Sequence, residues 1–226
     1  MKKYILIILI LLSLLTVSAH QPRVEESNTI IVDNPEISKA YYTELNGEAH
    51  EYFIESNSDF NLYVNILVAY DSDRRDFIVD IYQNETLLES LNKEKYTWTY
   101  FNEPIAGDEY WMGPEYDVKA TPGNYKIVVS SSNNTGKYVL ATGKIEKFTF
   151  MDTIRTIAVL PKIKSDFFDK PSLSAYNNKF GFFLFIILSV LFTIYLVLKN
   201  KLINYYNDRN FNKKIRARTL RPKIKR

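Results

Sequence analysis

Residues 180 to 198, FGFFLFIILSVLFTIYLVL, form an uncharged apolar run with Lys199 and Lys201 just beyond it. A helix rising about 1.5 Å per residue over this length matches a hydrocarbon core roughly 30 Å thick. The run therefore reads as one transmembrane helix, with everything before it on one side of a membrane and everything after it on the other. The apolar run sets architecture and topology and specifies no chemistry.

Charge follows the same division. From residue 20 to 198 there are 16 Lys and Arg against 25 Asp and Glu, a net −9, whereas residues 199 to 226 hold 11 basic residues against Asp208 alone, a net +10. Basic residues beside a span hold that end in the cytoplasm. The expected placement is thus a cell membrane, crossed once, with the N-terminal domain outside and the tail cytoplasmic. Cysteine is absent, which excludes disulfides, thiolate chemistry and Cys-ligated zinc, so an exported domain must hold together through its core.

Residues 1–19 read as a signal peptide: Lys2 and Lys3, the apolar Ile5 to Leu15, then Val17-Ser18-Ala19, with small residues preceding His20. A leader retained as a second anchor leaves the acidic segment on the same side. The remaining divisions are an extracytoplasmic β-sandwich domain at 20–150, a juxtamembrane amphipathic helix and spacer at 151–179, the span at 180–198 and a basic cytoplasmic tail at 199–226.

The β reading rests on alternation. Phe60, Leu62, Val64, Ile66, Val68 and Tyr70 recur at period two along FNLYVNILVAY and define one face of a central strand. Phe77 to Tyr82 and the stretch around Leu87 and Leu88 flank Gln83-Asn84-Glu85 as a hairpin. Tyr96 to Phe101, Glu109 to Met112 and Tyr116 to Ala120 are shorter candidates broken by Pro104, Gly107, Gly113 and Pro114. Thr121-Pro122-Gly123-Asn124 turns into Tyr125, Ile127 and Val129. About eight short strands at this spacing give an all-β fold, an antiparallel β-sandwich of jelly-roll or immunoglobulin-like type.

From Met151 to Phe168 the period changes. Ile154, Ile157, Leu160 and Ile163 recur at threes, interrupted at Pro161, which gives a juxtamembrane helix. Two placements fit: in the headgroup layer with Phe167 and Phe168 inserted, or packed on the sandwich as a stalk.

Residues 120 to 143, ATPGNYKIVVSSSNNTGKYVLATG, resemble the closing hairpin of prepeptidase C-terminal-like domains at Gly123, Tyr125, Ile127, Val129, Gly136, Tyr138 and Leu140. The resemblance implies an extracytoplasmic jelly-roll sandwich of the kind that accompanies secreted enzymes and is sometimes linked to carbohydrate or calcium binding. Members usually sit beside a catalytic domain; here the stretch is followed by the apolar run.

Hydrolytic catalysis has little to work with. The histidines are His20 and His50, no Gly-x-Ser-x-Gly elbow occurs, and pairs such as Asp108 with Glu109 or Glu115 with Asp117 are ordinary in an acidic domain. The chain does not read as an enzyme. Aromatic residues Trp98, Tyr100, Trp111 and Tyr116 lie close together, and their ring faces suit sugar stacking or core packing. Of these, Trp111, between Gly107 and Gly113 in an expected loop, is the candidate for exposure. Asp71, Asp73 and Asp76 offer alternating oxygens for calcium, with Arg74 and Arg75 between them as neutralising partners. Asn84 and Asn133 head glycosylation sequons. Lys199, Lys201, Lys213, Lys214, Arg216 and Arg218 suit a membrane surface with anionic inner-leaflet lipid.

Together these features describe a single-pass surface protein whose outward sandwich binds or scaffolds, with an envelope glycan as ligand class. The alternative is a non-catalytic subunit of a membrane complex, assembled through its span and juxtamembrane helix with a membrane protein partner. The lipid bilayer is a partner either way, and no nucleic acid is expected.

Overall fold

The computed structural model describes residues 20–219, and side chains as far as Phe211. The expected signal peptide at 1–19 and the side chains of Lys213, Lys214, Arg216 and Arg218 lie outside the described residues. The described residues divide into a sandwich unit, up to Gly181, and a second unit from Phe182 onward.

The sandwich has two sheets. One has six strands in the order β1 (Gln21–Val24), β3 (Lys39–Asn46), β11 (Thr135–Thr142), β5 (Phe60–Ala69), β9 (Glu109–Ala120) and β8 (Thr99–Asn102). The other has five, β2 (Thr29–Ile31), β4 (His50–Ser56), β10 (Gly123–Ser130), β6 (Ile78–Gln83) and β7 (Thr86–Leu91). Most pairs are antiparallel, but β1 with β3 and β2 with β4 are parallel. The all-β sandwich stands, with mixed sheets in place of wholly antiparallel ones. The parallel pairs arise because β1 and β2 each join the edge of a different sheet, so neither closes a hairpin with its successor.

Central strand β5 explains why both of its faces are apolar. Phe60, Leu62, Val64, Ile66 and Val68 point into the space between the sheets, while Leu67 and Ala69 on the opposite face belong to a second buried cluster. Tyr70 lies past the end of the strand and is 46% exposed, so the expected face stops at Val68. The β6–β7 hairpin turns on Asn84 and Glu85, both at positive φ, as a two-residue turn between twisted strands requires.

The two candidates Glu109 to Met112 and Tyr116 to Ala120 are one strand, β9. Gly113-Pro114 is a bulge within it: pairing with β5 jumps from Leu67–Met112 to Asn65–Glu115. Asn65, buried opposite, donates its side-chain amide to the carbonyls of Gly113 and Pro114 at 3.0 and 3.1 Å, which satisfies the groups the bulge takes out of the ladder. A Cβ at Gly113 would stand 2.9 Å from Ile66 and 3.0 Å from the Trp98 ring, so only glycine fits.

Helix α1 (Phe150–Lys162) starts with a capping box: Thr149 accepts from the Asp152 amide, and Asp152 accepts from the Thr149 amide. Pro161 cannot donate to the carbonyl of Ile157, and the Tyr176 hydroxyl takes that carbonyl at 2.8 Å. After Lys162 the chain widens into one π-helical turn, Ile163–Phe167. Ile163, Phe167 and Phe168 are buried on the outer face of the six-stranded sheet against Ala40, Leu67, Tyr110 and Ala141. Each such burial contributes about 1.5–3 kcal/mol, which settles the two placements: these phenylalanines are packed on the sandwich, not set into lipid.

The same segment is latched to the β8–β9 loop. Lys164 and Asp108, both almost fully buried, pair at 2.5 Å. Asn178 donates to the Ala106 carbonyl at 2.9 Å, and the Phe180 amide to that of Ile105 at 3.4 Å. Glu103 folds back to accept from the amides of Ile105 and Ala106.

Helix α2 (Lys179–Thr219) runs 41 residues without a break, so residues 199–219 of the expected basic tail continue the helix. Its Lys179–Phe211 portion is the one helix among the described residues long and apolar enough to cross a membrane. Lys199 and Lys201 are exposed on it.

Candidate functional site

The aromatic candidates separate by face. The bulge shifts strand parity, so Trp111 (opposite Val68) and Tyr116 (opposite Val64) both point inward. With Trp98 they pack half-buried against the open edge of the core. Trp111 is therefore in a paired strand, not a loop. Its indole N–H donates to the Tyr70 carbonyl at 3.1 Å, Tyr70 stacks on it at 5.2 Å, and the Arg75 guanidinium lies 4.2 Å from its ring centroid. The exposed rings are Tyr100, at 50%, and Tyr70, at 46%, meeting edge to face at 5.3 Å. The Tyr100 hydroxyl donates to Glu109 at 2.6 Å. Tyr70 was missed as a site residue because alternation continued it into the strand; the turn residues Asp71-Ser72 after it were the available signal.

Asp71, Asp73 and Asp76 do not converge. No group of three or more His, Asp or Glu able to hold a metal occurs among the described residues. Asp76 is held instead by Arg74 at 2.8 Å and by the Ser132 hydroxyl at 2.5 Å. Burial works to raise its pKa; the hydrogen bonds from Arg74 and Ser132, with the Arg74 charge, outweigh that and hold it at about 2. Arg74 also donates to Thr135, Ser131 and Asn133. The segment is an internally neutralised turn. Asn84 and Asn133 are both exposed at hairpin ends, and the Asn133 side-chain oxygen accepts from Arg74 and Thr135.

A second site has no counterpart in the sequence candidates: a polar cleft of about 490 Å³ between β1, β3 and the first turns of α1. Its charged lining is Arg23, Lys39, Lys147 and Arg155 with Glu25, Asp33 and Asp152. Arg23 pairs with Asp152 at 3.3 Å and donates to Gln21 at 2.6 Å. Lys39 is 7% exposed and donates to the Asp33 backbone carbonyl; burial lowers its pKa, opposed by the charge of Asp33. Burial also raises the Glu25 carboxyl, against the pull of Arg23. Asp152 is lowered, first by the hydrogen bond from Thr149. The available signal was the polar alternation Gln21, Arg23, Glu25.

These elements define an all-β sandwich domain followed by one apolar helix long enough to cross a membrane. No family model matches the chain, and no curated protein matches it. Among solved structures, the chain is similar to the pre-peptidase C-terminal domain of a collagenase from Bacillus anthracis: 17% identity and a TM-score of 0.32, over 54% of this chain and 96% of that one. That domain type is the one resembled by residues 120–143. The catalytic domain of a GH87 α-1,3-glucanase in complex with nigerose is also similar, at 17% identity and a TM-score of 0.26, over 48% of this chain and 22% of that one. The chain thus spans under a quarter of the glucanase.

Proposed function

We propose that the chain is a single-pass membrane protein whose sandwich faces outward and acts as a binding or scaffolding module at the cell envelope, with a glycan as ligand. The observation that supports this reading is the exposed pair Tyr70 and Tyr100 beside the Glu109 carboxylate. Tyrosine faces cover the C–H face of a sugar ring, and a neighbouring carboxylate takes its hydroxyls. Trp111, stacked under Tyr70, serves as backing and not as a contact surface. Helix α2 anchors the module, and its basic end keeps to the cytoplasmic face.

The test is retention of the full-length protein, in detergent, on a panel of immobilised envelope polysaccharides. The wild type is expected to be retained and a Tyr70→Ala/Tyr100→Ala variant to pass through. Equal retention of both, or none on any polysaccharide, overturns the glycan assignment. A fixed membrane protein copurifying with both forms would make the chain a complex subunit instead.

A further inference from the structure

We infer that the cleft between β1, β3 and α1 holds the phosphate of a phospholipid headgroup, with the exposed apolar side chains beside it set into the same bilayer. The inference rests on the reading of α2 as a membrane anchor.

Cations outnumber carboxylates in the lining of the cleft, four to three. Lys39 is buried, yet its only hydrogen-bond acceptor is the Asp33 carbonyl, and among the described residues no carboxylate pairs with it. An ammonium carries three donors, and Asp33 and Asp152 act on it by charge without coming within ion-pair distance. Lys147 and Arg155 line the same cleft, exposed and without an ion pair among the described residues. Of the three carboxylates present, Asp152 is committed to Arg23 and to the cap of α1. Glu25 has the Arg23 charge as its neighbour. Glu25 and Asp33 are left against Lys39, Lys147 and Arg155, so the lining carries one positive charge in excess. The volume falls within the usual range of small-ligand sites, about 300–1,000 Å³.

The surroundings identify the source of the phosphate. Ile31 lines the cleft and is 66% exposed. On the first turns of α1, Phe150 is 79% exposed, Met151 67% and Ile154 44%. A soluble anion needs no such rim; a headgroup with acyl chains beneath it does. Within the sandwich unit, α1 is bonded to the segment that leads toward α2. Tyr176, three residues before α2 begins, is bonded to Ile157. Met151 is six residues from Ile157, about 9 Å along α1 at 1.5 Å per residue.

The absence of native cysteine allows a direct test. The full-length protein is labelled with a nitroxide at Met151→Cys or, separately, at Leu188→Cys in α2. It is reconstituted in phosphatidylcholine vesicles containing phosphatidylglycerol. Collision with oxygen reports lipid exposure, and collision with a water-soluble nickel chelate reports water. Both labels are expected to favour oxygen, and Lys147→Ala/Arg155→Ala is expected to move only the position 151 label into water. Both substituted side chains are exposed, so loss of folding does not confuse the result. A water-exposed label at 151 with a lipid-exposed one at 188 overturns the inference and leaves the anchor. A water-exposed label at 188 overturns the anchor itself. Protection of position 151 from both reagents means that protein covers it, which also overturns the inference. Release of the label by inorganic phosphate assigns the cleft to a free anion and overturns the lipid source.

Discussion

His50 is one residue through which the stability of the sandwich varies with pH, His20 being another. His50 is 1% exposed, its Nδ1 lies 2.9 Å from the Tyr138 hydroxyl, and that hydroxyl lies 3.0 Å from the one on Tyr52. Burial lowers its pKa below the ordinary 6.5, so the folded chain favours the neutral ring. On acidification the unfolded chain takes the proton first, and stability depends on the proton difference between the two states. Stability is expected to hold above about pH 6.5 and to fall as pH drops through the window between the unfolded and folded values. Urea midpoints measured across this window should decline for the wild type and decline less for His50→Gln, which keeps a hydrogen-bonding group but does not titrate. An identical decline in both would assign the effect to other groups.

Among elements, the junction between α1 and the turn that follows depends on two residues far apart in role. Pro161 leaves the Ile157 carbonyl without its helical donor, and Tyr176 replaces it. Tyr176→Phe is expected to cost about 1 kcal/mol. In a Pro161→Ala background, where a main-chain N–H returns, the same substitution should cost less; additive costs in the double-mutant cycle would separate the two features. The hairpins β6–β7 and β10–β11 were legible because period two and turn chemistry are local. Continuity of β9 was not, since Gly113-Pro114 reads as a terminator until Asn65, 48 residues away, supplies the missing donors. Burial of Phe167 and Phe168 was likewise hidden, because the surface that receives them is assembled from separate strands. The cleft joins β1 to α1, more than a hundred residues on, and the aromatic cluster was visible as composition while its division into packed and exposed rings was set by the bulge.

At the scale of the whole molecule, charge asymmetry and one long apolar helix underlie the proposed orientation, which proteolysis can check. Protease added to intact cells is expected to remove the 20–179 region and spare an epitope fused after residue 226. Loss of the epitope with a protected sandwich would reverse the topology. The latch between Asn178, Phe180 and the β8–β9 loop has a mechanical consequence for a domain held on a tether. Tension entering at Gly181 reaches the loop Glu103–Asp108 before it reaches the sheet. The latch consists of single hydrogen bonds and gives way first, and the strand next in line behind it is the four-residue edge strand β8, not the central β5. A tug on the anchor is therefore felt at the margin of the sandwich, beside Tyr100, before it is felt in the core.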